Sequence, residues 1–425
     1  MRRGPMKYTS LLLTLSFALV PPQIYSETQE WITILIHGTI GLRPQMAFRT
    51  MLKLVRDNIS NSSYKRSVEI IRDDPFFYKN QAMQELGLHA IDIEDRKPGA
   101  AASLFAKIFD NLEQERHPGN HNHYYTFGWS GLISHKMRYE ESKILYSSLA
   151  DELKKLAGQG IYPKIRIIGF SHGGNLALNL ATIHDKEHPT DQWNVQELIC
   201  VGMPVQRETD YLVCSPFFDS VYNFYSRGDH IQKLDCFSLR RFFSNRRFCN
   251  NSRYRLPEKL VQVEIKITAH GKNCCWRQRG CNELCKKHCS DRSPGHMELW
   301  FFGWPSTHSS SYRKHFPLYP LPATVFAPKL IDIITQCAPC DKHIILELRP
   351  DEELAIVRSR HHNKKKIVPL ITQQKLKNLK ELALEYQPEY FTIDDYLAHV
   401  NCATIIARNK RSTKSHYRKK CLCSS

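Results

Sequence analysis

Residues Lys164–Thr182 read KIRIIGFSHGGNLALNLAT. Ile165 to Phe170 is a β-branched, apolar run that predicts a buried strand, and Asn175 to Ala181 carries Leu176, Ala177, Leu180 and Ala181 at helical spacing. Between them, Gly169-Phe170-Ser171-His172-Gly173-Gly174 fits G-x-S-x-G, the pattern of a sharp strand-to-helix turn. The tip of such a turn is strained, so Gly169 and Gly173 must lack side chains to clear the flanking strand and helix. The turn lifts the Ser171 hydroxyl out of the sheet and points the helix N-terminus at any anion forming there. The competing reading is a plain glycine-rich turn with a surface serine.

Upstream, Trp31 to Ile36 is another buried-strand pattern, followed at once by His37-Gly38-Thr39-Ile40-Gly41. A glycine loop at the end of an early strand can turn a backbone N–H toward the nucleophile, giving half of an oxyanion hole with the His172 N–H as the other half. Met46 to Ile59 suits a helix, and the stretch near 60–120 reads as a helix-containing insertion. His123 to Trp129 is a strand, and Leu132 to Leu156 is a long helix with Leu145, Leu149, Leu153 and Leu156 on one face, stopped by Gly158 and Gly160. Downstream, Glu197 to Gly202, Ser220 to Tyr225 and Leu260 to Thr268 are further strands. Strands separated by helices predict an α/β fold with a mostly parallel sheet and helices on both faces. Sites in such sheets lie at the carboxyl ends of strands, where His37, Ser171 and Asp229 all fall.

A serine hydroxyl needs an imidazole to take its proton, and the imidazole needs a carboxylate to fix its tautomer. Asp229, after a strand and Gly228, is the chosen carboxylate; Asp210 is the reserve, with Asp219 and Asp235 weaker. His296, in SPGHMELW at a loop-to-helix transition, is the chosen base, and His270 in AHG is its competitor.

The order Ser171, Asp229, His296, together with ILIHGT, GFSHGGN and PGHMEL, resembles the α/β-hydrolase superfamily, especially its bacterial lipases and esterases, over roughly residues 31–305. The resemblance implies an eight-stranded, mostly parallel sheet. It also implies Ser171 as nucleophile, His296 as general base, Asp229 as its orienter, and the N–H groups of Thr39 and His172 as oxyanion hole. A Cys-rich stretch between the last expected strand and His296 departs from the family.

The chain has 425 residues and a net charge of +18, concentrated in 240–255, 358–366 and 408–420, which favours anionic partners. A basic start, the apolar run Leu11 to Val20 and Pro21-Pro22 have the layout of a signal peptide or N-terminal anchor over 1–26, so an exported protein is expected. All 14 cysteines lie beyond residue 199; in an exported chain disulfides suit them better than zinc, since the cluster Cys274–Cys289 lacks paired knuckle spacing. Cys337 and Cys340 read as a structural bridge, and Cys236 with Cys249 as a clip on an Arg/Phe-rich loop that otherwise suits an anionic lipid surface. Beyond 340, a hairpin at His343–Leu348 and Leu354–Val357 and a helix from Leu370 to Tyr386 predict a small α+β extension over 341–407, before a basic tail at 408–425.

The expected protein is thus a hydrolase domain over 27–340 with insertions near 60–120 and 236–292. Its expected activity is ester cleavage through an acyl-enzyme on a small-molecule or lipid ester, with no cofactor, metal or nucleic acid. Acyl transfer and thioester cleavage use the same residues. A non-catalytic protein binding anionic lipid or polymer is the alternative from another class.

Overall fold

In the computed structural model the described residues are 29–40, 59, 62–233, 244–268, 293–304, 316–338, 341–359, 365–389 and 391–408. In chain order they form β1 (Glu30–Ile36), α1 (Ser63–Arg72), β2 (Gly87–Ala90), α2 (Ala101–Arg116), β3 (His121–Gly128), α3 (His135–Ala157), β4 (Lys164–Phe170), α4 (His172–Glu187), β5 (Val195–Val201) and β6 (Phe218–Tyr225). There follow β7 (Leu260–Ile267), α5 (His296–Trp300), α6 (Ala327–Cys337), β8 (His343–Arg349), β9 (Leu354–Ser359), β10 (Lys365–Pro369), α7 (Gln373–Glu385) and α8 (Ile393–Arg408).

The strands build one ten-stranded sheet in the order β10-β9-β8-β7-β6-β5-β4-β1-β3-β2. Every pairing from β3 across to β8 is parallel, and β2, β9 and β10 run antiparallel at the edges. β4 is apolar apart from Lys164 and Arg166 and shows no apolar-polar alternation beyond Arg166, because both faces are covered. Ile165 and Ile167 enter one apolar cluster with Leu145, Leu149 and Leu156 of α3 and Leu176 and Leu180 of α4. Ile168 and Phe170 enter the opposite cluster with Leu104, Phe105 and Ile108 of α2 and Leu330 and Ile331 of α6. Helices therefore cover both faces. α3 starts where Ser134 accepts the Met137 N–H at 3.1 Å, a side-chain cap that replaces a missing intrahelical bond.

Two boundaries differ from expectation. The stretch near 60–120 carries the edge strand β2 and the core helix α2, and 341–407 supplies β8, β9 and β10 to the same sheet. The four-residue β2 (GLHA) and the half-charged β10 (KKIVP) have almost no strand periodicity of their own; pairing with a formed neighbour makes them strands. Cys337 and Cys249 are free thiols, so neither the Cys337–Cys340 bridge nor the Cys236–Cys249 clip forms. Cys402 on α8 is disulfide-bonded. The expected leader, the Met46–Ile59 helix except Ile59, the Cys274–Cys289 cluster and the basic tail except Arg408 lie outside the described residues. Among the described residues no helix is long and apolar enough to cross a membrane.

Candidate active site

Register brings four strand ends into line. Ile36 of β1 pairs with Gly169 of β4, Phe170 with Val201 of β5, and Val201 with Phe224 of β6. From β1 the chain goes on to β2 and β3 on one side and then crosses to β4 on the other, so the strand order reverses beside β1, the place in such sheets where ligands bind at the carboxyl ends.

Ser171 stands at that point with φ 52 and ψ −127, one of two non-glycine residues with positive φ among those described. A serine preceding a helix ordinarily caps it, yet Ser171 makes no side-chain cap bond, so the strained backbone frees the hydroxyl from that duty. The glycines explain themselves by close approach. A Cβ on Gly169 would come within 2.6 Å of Gly174, and one on Gly173 within 2.6 Å of the Ile36 and His37 carbonyl oxygens.

Asp229 is fully buried in the loop after β6. Its Oδ2 lies 2.6 Å from His296 Nδ1, and its Oδ1 accepts the Gln232 N–H at 3.2 Å. The bond to Asp229 sets the proton on Nδ1 and leaves Nε2 as the basic nitrogen. His296 is the first residue of α5, and Gly295 before it donates its N–H to Glu298 Oε2 at 2.6 Å. The His296 ring packs on Phe170, the residue before Ser171, with centroids 4.6 Å apart. No hydrogen bond joins Ser171 to His296 among the described residues.

On the other side of Ser171, His37 is wholly buried. Its Nδ1–H donates to the Gly38 carbonyl at 2.7 Å, and its Nε2 accepts the Trp129 N–H at 3.3 Å. Burial, helped by the charge of Arg72, lowers its pKa to about 3, so it is a neutral prop for the loop. Thr39 Oγ1 is buried with no hydrogen-bond partner among the described residues. His172 is likewise held neutral, chiefly by burial and then by Arg138 and His296. The buried Arg72 acts on His37 and the buried Arg138 on His172, each disfavouring a second positive charge there.

The reserve carboxylates are elsewhere: Asp210 pairs with Arg253, and Asp219 accepts from Asn194 at 2.7 Å. His270 and Asp235 lie outside the described residues. The stretch 235–250 reads equally as a lipid-facing cap or as a loop with buried aromatics; Arg246 Nε donates to the Asp229 carbonyl at 2.9 Å and its Nη2 to that of Arg227 at 2.9 Å. Phe248 from the same stretch is buried in the core. Gln232 Nε2 donates to the Met203 carbonyl at 2.9 Å and Trp129 Nε1 to the His37 carbonyl at 2.8 Å, so with Arg246 three side chains hold backbone carbonyls distant in the chain, which sequence patterns do not reveal. Gly202 carried a weak signal, closing a strand; its φ is +58, and a Cβ there would lie 3.2 Å from Asp229 Oδ2. Among the described residues no group of three His, Cys, Asp or Glu side chains is arranged to hold a metal ion.

No known family model matches the chain, and no curated protein matches it in sequence.

Proposed function

We propose that this protein is a serine hydrolase of carboxylic esters, with an α/β-hydrolase sheet extended at its edges. The observation carrying this reading is the 2.6 Å Asp229–His296 pair beside a serine held at φ 52. The chain order Ser171, Asp229, His296, with each residue placed beyond β4, β6 and β7 in turn, supports the same assignment.

In the first half-reaction Ser171 Oγ attacks the ester carbonyl carbon while its proton passes to His296 Nε2, and Asp229 stabilises the imidazolium. The carbonyl oxygen becomes an oxyanion facing the N–H groups of Thr39 and His172, at the N-terminus of α4. Collapse expels the alcohol, which takes the proton from His296, and leaves an acyl-serine. Water then attacks that ester, giving its proton to His296, and the carboxylic acid departs as the proton returns to Ser171.

The test is labelling of the native protein by a fluorophosphonate probe with peptide mapping of the adduct. An adduct on Ser171 together with turnover of a p-nitrophenyl ester is expected; no adduct, or one on another residue, removes this reading.

A further inference from the structure

Phe170 closes β4 immediately before Ser171, and only 2% of it is exposed. Three parts of the site meet on its ring. The His296 imidazole lies against it, tilted by 36° with centroids 4.6 Å apart. A Cβ on Gly38 would come within 2.9 Å of its Cδ1, so the loop after β1 abuts it as well. Trp300 of α5 lies parallel to it at 5.3 Å, and Phe301, just past that helix, meets it edge-on at 5.8 Å. Trp300 is itself wholly buried beside Phe105 of α2, 5.2 Å away. Packed on these sides, the Phe170 ring has no room to swing away from the imidazole.

An aliphatic side chain of similar volume could fill this space, but it would not distinguish the two charge states of His296. An aromatic face carries the negative part of the ring quadrupole and attracts a cation within about 6 Å of its centre. In both half-reactions His296 Nε2 takes up a proton on the way to the tetrahedral intermediate, while Nδ1 stays 2.6 Å from Asp229. The attraction to Phe170 is strongest once the imidazole is charged. It favours the transition state over the resting state, and such an interaction raises kcat without tightening substrate binding.

We propose that Phe170 is a positioning residue acting through His296: its ring fixes the plane of the imidazole and stabilises the imidazolium that forms during catalysis. The position before the serine then requires an aromatic side chain and not merely an apolar one. This rests on the serine hydrolase reading and adds to it the group that sustains the charged base.

The test compares the wild-type chain with forms carrying mono-, di- or trifluorinated phenylalanine at position 170, which keep the ring and its packing while draining negative charge from its face. In p-nitrophenyl ester turnover, kcat is expected to fall stepwise, by about three- to tenfold at the trifluorinated form, with KM unchanged. Phe170→Leu should lose at least as much. Circular dichroism checks the fold of each form, and should Phe170→Leu unfold, the fluorinated series carries the comparison alone. A flat kcat across the series, or a loss that falls on KM instead, overturns the proposal and leaves Phe170 as packing. Fluorophosphonate labelling separates the two claims: a labelled, active wild type with a flat series sinks only the role of Phe170, and a wild type neither labelled nor active sinks both.

Discussion

Gly38 and Ser171 touch so closely that a Cβ placed on Gly38 would lie 2.8 Å from the Ser171 Cβ. The loop after β1 thus runs directly over Ser171. This contact, more than the loop's composition, ties the His37–Ile40 segment to the site.

The contact makes Gly38→Ala a geometric probe. The added methyl must push the loop or the serine aside, and a displacement of about 1 Å near reacting atoms costs about 10²-fold in rate. A loss of that size in kcat/KM for a p-nitrophenyl ester is expected, with fluorophosphonate labelling slowed in parallel. Wild-type kinetics in the variant would separate this loop from catalysis.

Asp229→Asn keeps the shape of the carboxylate but accepts the imidazole proton poorly, so the wrong tautomer of His296 is favoured. A fall of about 10⁴-fold in kcat is expected with the fold intact by circular dichroism. Arg246→Met removes only the donors that hold the Arg227 and Asp229 carbonyls, and a milder loss of about tenfold should follow. A larger loss for Arg246→Met than for Asp229→Asn contradicts these roles.

His37 gives stability a pH dependence. Its folded pKa of about 3 lies below the unfolded value near 6.5. Its contribution is therefore complete above pH 6.5 and declines as pH falls through the window toward 3, because the unfolded chain takes up the proton first. By pH 5 the decline amounts to about 2 kcal/mol. Urea unfolding at pH 7 and pH 5 should show that His37→Asn loses about 2 kcal/mol less stability than the wild type over this interval. His172 contributes with the same sign in both proteins. Parallel pH curves would mean that His37 carries a charge in the folded state.

Arg166 tests the opposite end of the sheet. It is 1% exposed, donates to Glu197 and to Glu113 at 3.2 Å, and lies 4.4 Å from the Trp31 ring centre. Burial alone would raise the Glu197 pKa, but Arg166 and Arg116 outweigh it and leave it lowered. Glu197 therefore stabilises above the ordinary carboxylate range and loses that contribution as pH drops below roughly 4. Among the described residues Arg166→Leu leaves only Arg116, 3.7 Å from Glu197 and 3.9 Å from Glu113, to pair the two buried carboxylates, so a loss of about 3 kcal/mol in urea unfolding at pH 7 is expected, shrinking toward pH 4 as Glu197 protonates. A loss independent of pH would assign the effect to packing.

Much of the site was legible because its signals are local. The strand β4, the glycine turn and α4 occupy one continuous stretch, where a period of two gives way to a period of 3.6 around small residues. Asp229 was legible for a related reason, standing just past an apolar run that can only be a strand. His296 was chosen over His270 by its loop-to-helix setting, and only the 2.6 Å contact identifies it as the partner of Asp229. The stretch holding Arg246 stayed open between two readings because a basic, aromatic stretch looks the same whether its cations face water or cap carbonyl groups. The helix α8, with two aspartates in its first turn, gave little helical apolar pattern, and packing against α1 accounts for it.

The sequence by itself determined which stretches become strands and helices at the centre of the sheet, and where the backbone must be strained. Those are short-range matters of side-chain shape and spacing. The tertiary structure alone decided that 60–120 and 341–407 join the same sheet, that Arg246 braces Asp229, and that His296 reaches it. Parallel pairing links segments far apart in the chain, so no local pattern encodes which partner a strand end or a side chain will meet.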